Sequence, residues 1–90
     1  MSSVATVWIP ALIRPLTGGQ ASVQADGATV LAVIDDLETR FPGLRARLVE
    51  GDRLKPGLAV VVDGETGRLK LRQPVAETSE VHFVAGLSGG

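Results

Sequence analysis

The two glycines that end the chain, Gly89 and Gly90, are the residues best suited to do chemistry. Glycine has no side chain and tolerates almost any backbone geometry, so a terminal Gly-Gly can enter a narrow active-site channel and present its carboxylate. Glycine makes up about 7 % of residues on average, so chance gives this ending in roughly 0.5 % of chains. The dipeptide alone is equally consistent with a frayed terminus. The rest of the sequence has to decide between these interpretations.

Other groups that could do chemistry have structural explanations. His82 has no nucleophile motif beside it, which favours a surface strand position over a proton shuttle. Asp35, Asp36 and Glu38 would point in different directions on a helix, which favours a solvated face over acid–base catalysis. Gly18-Gly19 lacks a following Lys-Ser/Thr and predicts a turn, not a phosphate-binding loop.

Composition excludes several classes of function. Ninety residues with 44% hydrophobic content make one domain with its own core. The chain has no cysteine and one histidine, so it offers no disulfide, no thiolate metal site and no cysteine nucleophile. A net charge of -1 with mixed signs makes nucleic acid and anionic membranes poor partners. Without an apolar span or a secretion signal, we expect a cytoplasmic monomer.

The elements that must position the tail follow the order β-β-α-β-β-β. Alternating or β-branched-rich patterns predict strands at residues 4–9, 20–25, 58–62, 68–70 and 80–85. Residues 11–19 and 51–57 read as loops, and Leu44 and Leu48 as a short, looser helical turn. Leu71 and Val75 are spaced like one helical turn that Pro74 interrupts. Residues 68, 70 and 72 are basic and alternate, which we interpret as protection of a sheet edge in preference to docking of an acidic partner.

One helix dominates the pattern and sets the fold class. Val30, Ile34, Leu37 and Phe41 recur at helical spacing after Thr29, a plausible N-cap, and before a Pro-Gly stop. One helix covering one face of a small mixed sheet gives an α+β fold. If the last strand lies parallel to the first, the arrangement is a ubiquitin-like β-grasp with four to five strands. We therefore predict a β-grasp domain at residues 1–85 and a flexible Gly-Gly tail at 86–90.

Four segments carry a family resemblance over nearly the full length. They are "VWIPALIRPLTGGQASV", "TVLAVIDDLETRFPGL", "LAVVVDGE" and "LRQPVAETSEVHFVAGLSGG". The chain resembles the small sulfur-carrier proteins of the ThiS/MoaD family, and within it the sulfur carriers of cysteine biosynthesis. Two departures stand out. Many relatives have Asp-Gly-Asp before the last strand, where this chain has Glu77-Thr78-Ser79-Glu80, and many have proline after that strand, where this chain has Ala85-Gly86.

The resemblance implies chemistry at the Gly90 carboxylate. An E1-like adenylyltransferase/sulfurtransferase would adenylate it with ATP and magnesium, and a sulfide or persulfide would displace AMP to leave a thiocarboxylate. The tail residues Gly86, Leu87, Ser88 and Gly89 would enter the partner's active site. Leu87 is the one tail residue with apolar bulk, which favours an anchor in a partner groove over a side chain that folds back on the sheet. The chain would then be a protein cosubstrate that binds no cofactor, not an enzyme.

The pathway stays open between alternatives. The order I-P, R-P, T-G-G-Q favours cysteine biosynthesis, where the resemblance implies a pyridoxal-phosphate-dependent cysteine synthase as acceptor and a zinc-dependent JAMM-type protease that releases the cysteine. The alternative within the class is the small subunit of molybdopterin synthase, with the large subunit as partner. Different classes are a ubiquitin-like modifier, in which Gly90 forms an isopeptide with lysine, and an inert β-grasp module.

Overall fold

A mixed sheet forms the centre of the computed structural model, which describes residues 4–85. Its five strands lie in the order β2-β1-β7-β5-β6, and β3 and β4 form a separate two-stranded hairpin. The strands are β1 (Val4–Trp8), β2 (Ser22–Asp26), β3 (Val49–Glu50), β4 (Arg53–Leu54), β5 (Leu58–Val62), β6 (Glu65–Thr66) and β7 (Glu80–Ala85).

The first and last strands lie side by side and run parallel. Thr6 is in register with Glu80, and Trp8 with His82. Strand β1 also pairs antiparallel with β2, and β7 pairs antiparallel with β5. A parallel pair requires a crossover, and helix α1 (Val30–Arg40) lies in the connection. The predicted α+β topology is therefore confirmed, with β7 inside the sheet and neighboured on both sides.

The sequence of helix α1 determines where the helix starts and which of its faces packs on the sheet. The Thr29 side chain caps it by accepting a hydrogen bond from the Ala32 backbone N–H at 3.2 Å. Its buried stripe consists of Val30, Val33, Ile34 and Leu37, each 0% exposed. Burying a side chain of this size contributes about 1.5–3 kcal/mol, so the stripe holds the helix on the sheet.

Side chains alternate between the two faces of the sheet. The inner face packs against α1 through buried residues that include Val7, Val60, Val81 and Phe83. The outer face carries Trp8 and the other alternate positions. This alternation follows from the two-residue period of a strand, and it fixes which side chains of β7 are available to a partner.

Three predicted elements differ from the structure. Residues 11–19 are not a plain loop, because Ala11–Thr17 forms a 3-10 helix. The turn at Leu44 and Leu48 is a short α-helix, α2 (Leu44–Leu48), and both leucines are fully buried. The predicted loop 51–57 contains strand β4 of the small hairpin. In each case burial against the core orders a segment that its local sequence leaves ambiguous.

The predicted strand at residues 68–70 is wrong. The turn Asp63-Gly64 has positive φ at both residues, 53° and 85°, as a two-residue hairpin turn of type I′ requires. Such a turn pairs the next residue at once, so Val62 faces Glu65 and strand β6 begins there. The chain then leaves the sheet, and Lys70 has φ 56° at the start of a second 3-10 helix, Lys70–Arg72.

Candidate functional site

The tail follows the end of the central strand of the sheet. Strand β7 ends at Ala85, which is in register with Leu58 at the start of β5. The predicted attachment residue Gly90 and the predicted tail residues Gly86, Leu87, Ser88 and Gly89 lie outside the described residues. The structure therefore shows at which end of the sheet the described chain stops before the tail. The roles of these five residues stay predictions.

Core packing and strand pairing fix the position of β7 up to that end of the sheet. Val81 and Phe83 are 0% and 4% exposed and face the core. Hydrogen-bonded neighbours on both sides leave β7 little freedom to shift. A reactive group is delivered more accurately from a rigid element than from a loop. The base of the tail is thus fixed relative to the rest of the molecule.

Asp63 clamps the start of β7 to the end of β5. One carboxylate oxygen accepts the Glu80 backbone N–H at 2.8 Å, and the other accepts the Ser79 hydroxyl at 2.8 Å. These donors, the Glu80 N–H first, hold the pKa of Asp63 below its usual value. Ser79 is buried, and the preceding Thr78 has φ 63°. The turn into β7 is therefore tightly specified by side-chain hydrogen bonds.

The outer face of the sheet carries a stacked pair that sequence reasoning did not identify. The rings of Trp8 and His82 lie 5.6 Å apart and 12° from parallel. His82 Nε2 is 3.7 Å from a carboxylate oxygen of Glu80. The prediction of His82 as a surface strand residue is confirmed. The parallel register of β1 and β7 places Trp8 beside His82. The sequence of either strand alone does not predict this register.

The acidic residues of α1 have partners both within the helix and in the segment that follows it. Asp36 pairs with Arg40 at 2.8 Å, and Asp35 pairs with Arg45 at 3.0 Å. Glu38 accepts hydrogen bonds from two backbone N–H groups in the segment after the helix, that of Arg45 first, and this lowers its pKa. Each carboxylate has its own partners, so the three do not form an acid–base cluster, as predicted.

The three basic residues Arg68, Lys70 and Arg72 do not protect a sheet edge. They are exposed, but they lie in and before the 3-10 helix and not on a strand. The sheet has two edge strands, β2 and β6, and the two residues of β6 are exposed. A short edge strand offers few unpaired backbone groups, which is a different solution to the same problem.

Neither a metal centre nor a membrane span is present in residues 4–85. No group of three or more histidine, cysteine or acidic residues in this range could hold an ion. No helix in the same range is both long enough and apolar enough to cross a bilayer.

The sheet order, with parallel first and last strands packed on one main helix, defines a ubiquitin-like β-grasp protein. A chain in the crystal structure of the Amycolatopsis orientalis BexX/CysO complex is 40% identical, with a TM-score of 0.87 over 96% of this chain and 99% of that chain. The chain in the crystal structure of Mycobacterium tuberculosis CysO is 36% identical in sequence. Its TM-score is 0.85, and the match covers 92% of this chain and 99% of that chain. The predicted fold is confirmed.

The chain belongs to the ThiS family, whose model matches residues 7–90. The sulfur carrier protein CysO of Mycobacterium tuberculosis is 38% identical over 92 residues, which cover 94% of this chain and 97% of the relative. These findings confirm the predicted class, a sulfur carrier protein. Sulfur carrier proteins are small protein substrates and not catalysts.

Proposed function

We propose that this chain carries sulfur as a thiocarboxylate on Gly90 and delivers it in cysteine biosynthesis. The family match that runs through residue 90 carries the proposal, because it extends the similarity across the Gly-Gly tail. The 38% identity to a sulfur carrier named CysO favours cysteine biosynthesis over molybdopterin synthesis.

The fold supports delivery of the terminus to another protein. Strand β7 is inside the sheet and ends at Ala85, and five residues follow it in the sequence. A tail that contains three glycines, with no β-branched or aromatic side chain, fits a narrow channel. The chain also has no cysteine, so a sulfur carried on the main-chain carboxyl has no side-chain thiol to compete with it.

The proposed reaction has two steps, both catalysed by a partner. A carboxylate is a poor electrophile, so an E1-like enzyme first joins a Gly90 oxygen to the α-phosphorus of ATP and releases pyrophosphate. Hydrosulfide, or a persulfide sulfur whose S–S bond a thiol then reduces, attacks the carbonyl carbon, and AMP leaves with the oxygen. The product is a C-terminal thiocarboxylate. Because ATP is the co-substrate, a cytoplasmic location suits the reaction.

The proposed acceptor is a pyridoxal-phosphate-dependent enzyme that holds an activated serine. The thiocarboxylate sulfur would form a new C–S bond at the β-carbon of the serine as the C–O bond breaks and the activating group leaves with the serine oxygen. A zinc-dependent protease of the JAMM type would then hydrolyse the bond between the carrier and the cysteine. In the Amycolatopsis orientalis structure the similar chain is crystallised in a complex with BexX. We accordingly expect this chain to work bound to a partner enzyme, with the catalytic groups and cofactors on that partner.

Intact mass spectrometry tests the proposal. The chain is incubated with the activating enzyme of its own genome, ATP, magnesium and sulfide, and we expect the mass change of one oxygen-for-sulfur exchange. A chain extended by one alanine after Gly90 should fold normally and gain no sulfur. The matched control carries the extra alanine before Met1 and should be loaded like the wild type.

The alternatives predict different outcomes in cells, in transfer assays with acceptor enzymes and in the loading experiment. High-mass conjugates in cells that disappear when Gly90 is deleted would favour a protein modifier. Loading without transfer to the cysteine synthase, but with transfer to the large subunit of molybdopterin synthase, would move the pathway. Sulfur loading of the extended chain at its new terminus would contradict the assignment of Gly90.

A further inference from the structure

A groove with an apolar floor and two cations lies beside the point where the tail leaves the sheet. Leu12 stands at its rim and is 90% exposed, more than the other exposed large hydrophobic residues of the described chain. Leu58 is half-buried against the core on its other side. Further lining comes from Pro10, Ile13, Arg47 and Lys55.

The pairing of the strands places this groove next to the tail. Leu58, which lines the groove, is in register with Ala85, the last described residue of β7. Pro10 and Leu12 follow the end of β1. Because β1 runs parallel to β7, the two strands terminate at the same end of the sheet. The groove therefore lies at the end of the sheet where β7 stops and the tail follows.

The length of the tail limits how far away a partner can be. Five residues follow Ala85, and an extended chain spans at most about 3.6 Å per residue, so Gly90 lies within about 18 Å of Ala85. If an enzyme binds Gly90 in a recessed active site, the residues around the entrance of that site must contact this end of the sheet. This step rests on the proposed function.

The charge of the groove selects the chemistry of that rim. The chain as a whole has a net charge of -1, yet the groove contains Arg47 and Lys55 and no acidic residue. Within residues 4–85 neither cation takes part in an ion pair. A complementary surface has an apolar side chain flanked by carboxylates.

We propose that this groove docks the rim of the active-site entrance of the activating enzyme, with an apolar rim residue on Leu12 and rim carboxylates on Arg47 and Lys55. The interaction is formed equally before and during the reaction. It therefore contributes to KM and leaves kcat unchanged, whereas a change at the reacting Gly90 acts on kcat.

Steady-state kinetics of sulfur loading test the proposal, with the full chain as the varied substrate. We expect Leu12→Asp and the double variant Arg47→Glu/Lys55→Glu each to raise KM by about tenfold or more at unchanged kcat, and Leu12→Met to stay near the wild type. Raising the salt concentration should raise the KM of the wild type and lower that of the charge-reversed variant.

Matched controls separate docking from general surface effects. Leu69 is 51% exposed and does not line the groove, so Leu69→Asp should leave KM unchanged, and Arg68→Glu serves as the charge control. Circular dichroism melting verifies that every variant is folded. If the wild type is not loaded at all, the proposed function fails. If it is loaded and the groove variants keep the KM of the wild type, the docking proposal fails and the proposed function stands.

Discussion

Replacing Thr78 by glycine should stabilise the protein. Thr78 has φ 63°, in the left-handed region that a β-branched residue rarely adopts. Its side chain is exposed, and its backbone N–H donates to the Val4 carbonyl at 3.1 Å, a bond that glycine keeps.

The magnitude follows from two opposing terms. The left-handed conformation costs an L-residue about 1–2 kcal/mol, which Thr78→Gly removes. Glycine loses more backbone entropy on folding, and this returns about 0.5–1 kcal/mol. We expect a net gain of about 0.5–1 kcal/mol in the free energy of unfolding. For a domain of this size that corresponds to a rise in Tm of about 2–8 °C.

Thermal melting and urea denaturation measure the effect. The urea midpoint should rise at an unchanged m-value, because the surface exposed on unfolding stays the same. The matched control is Thr66→Gly, at an exposed site in β6 where Thr66 pairs regularly with Val61. This control should lose about 0.5–1 kcal/mol. A Tm for Thr78→Gly at or below that of the wild type would refute the argument from backbone strain.

Two further predictions concern the turns that hold the sheet and the helix. The pKa of Asp63 is lowered on folding, so its carboxylate stabilises the protein above its ordinary pKa of 3.8 and loses this contribution as pH falls through the folded value. The wild type should therefore exceed Asp63→Ala in urea midpoint at neutral pH, and the gap should shrink in acid; a gap independent of pH would contradict the clamp. A Cβ at Gly27 would lie 2.7 Å from the Val33 backbone nitrogen, so Gly27→Ala should lose about 1–3 kcal/mol in urea unfolding, and an unchanged midpoint would show that α1 can shift.

Much of the fold follows from local patterns that the sequence displays openly. The helix was predicted to start after Thr29, and α1 begins at Val30. The last strand was predicted at residues 80–85, and β7 has those bounds. Periodicity and capping succeed here because each depends on residues only a few positions apart.

Prediction failed where distant contacts override the local signal. Pro15 and the following Gly18-Gly19 indicate a loop, yet residues 11–17 form a 3-10 helix whose Ile13 and Thr17 are buried. Arg14 Nε also donates to the Ile9 carbonyl at 3.0 Å. No pattern within this segment encodes that burial. At residues 68–70 the alternating charges suggested a strand, although the Asp63-Gly64 turn had already fixed the pairing upstream.

The candidate site divides in the same way. The sequence by itself predicted the reacting group, because the resemblance assigns the chemistry to the Gly90 carboxylate, and this assignment stays a prediction. Only the tertiary structure decided what surrounds the base of the tail. Leu12, Arg47 and Lys55 belong to three separate segments, and the stack of Trp8 on His82 joins opposite ends of the chain. Such neighbours arise from strand pairing and packing between distant residues, and the short-range periodicity of a sequence carries no record of them.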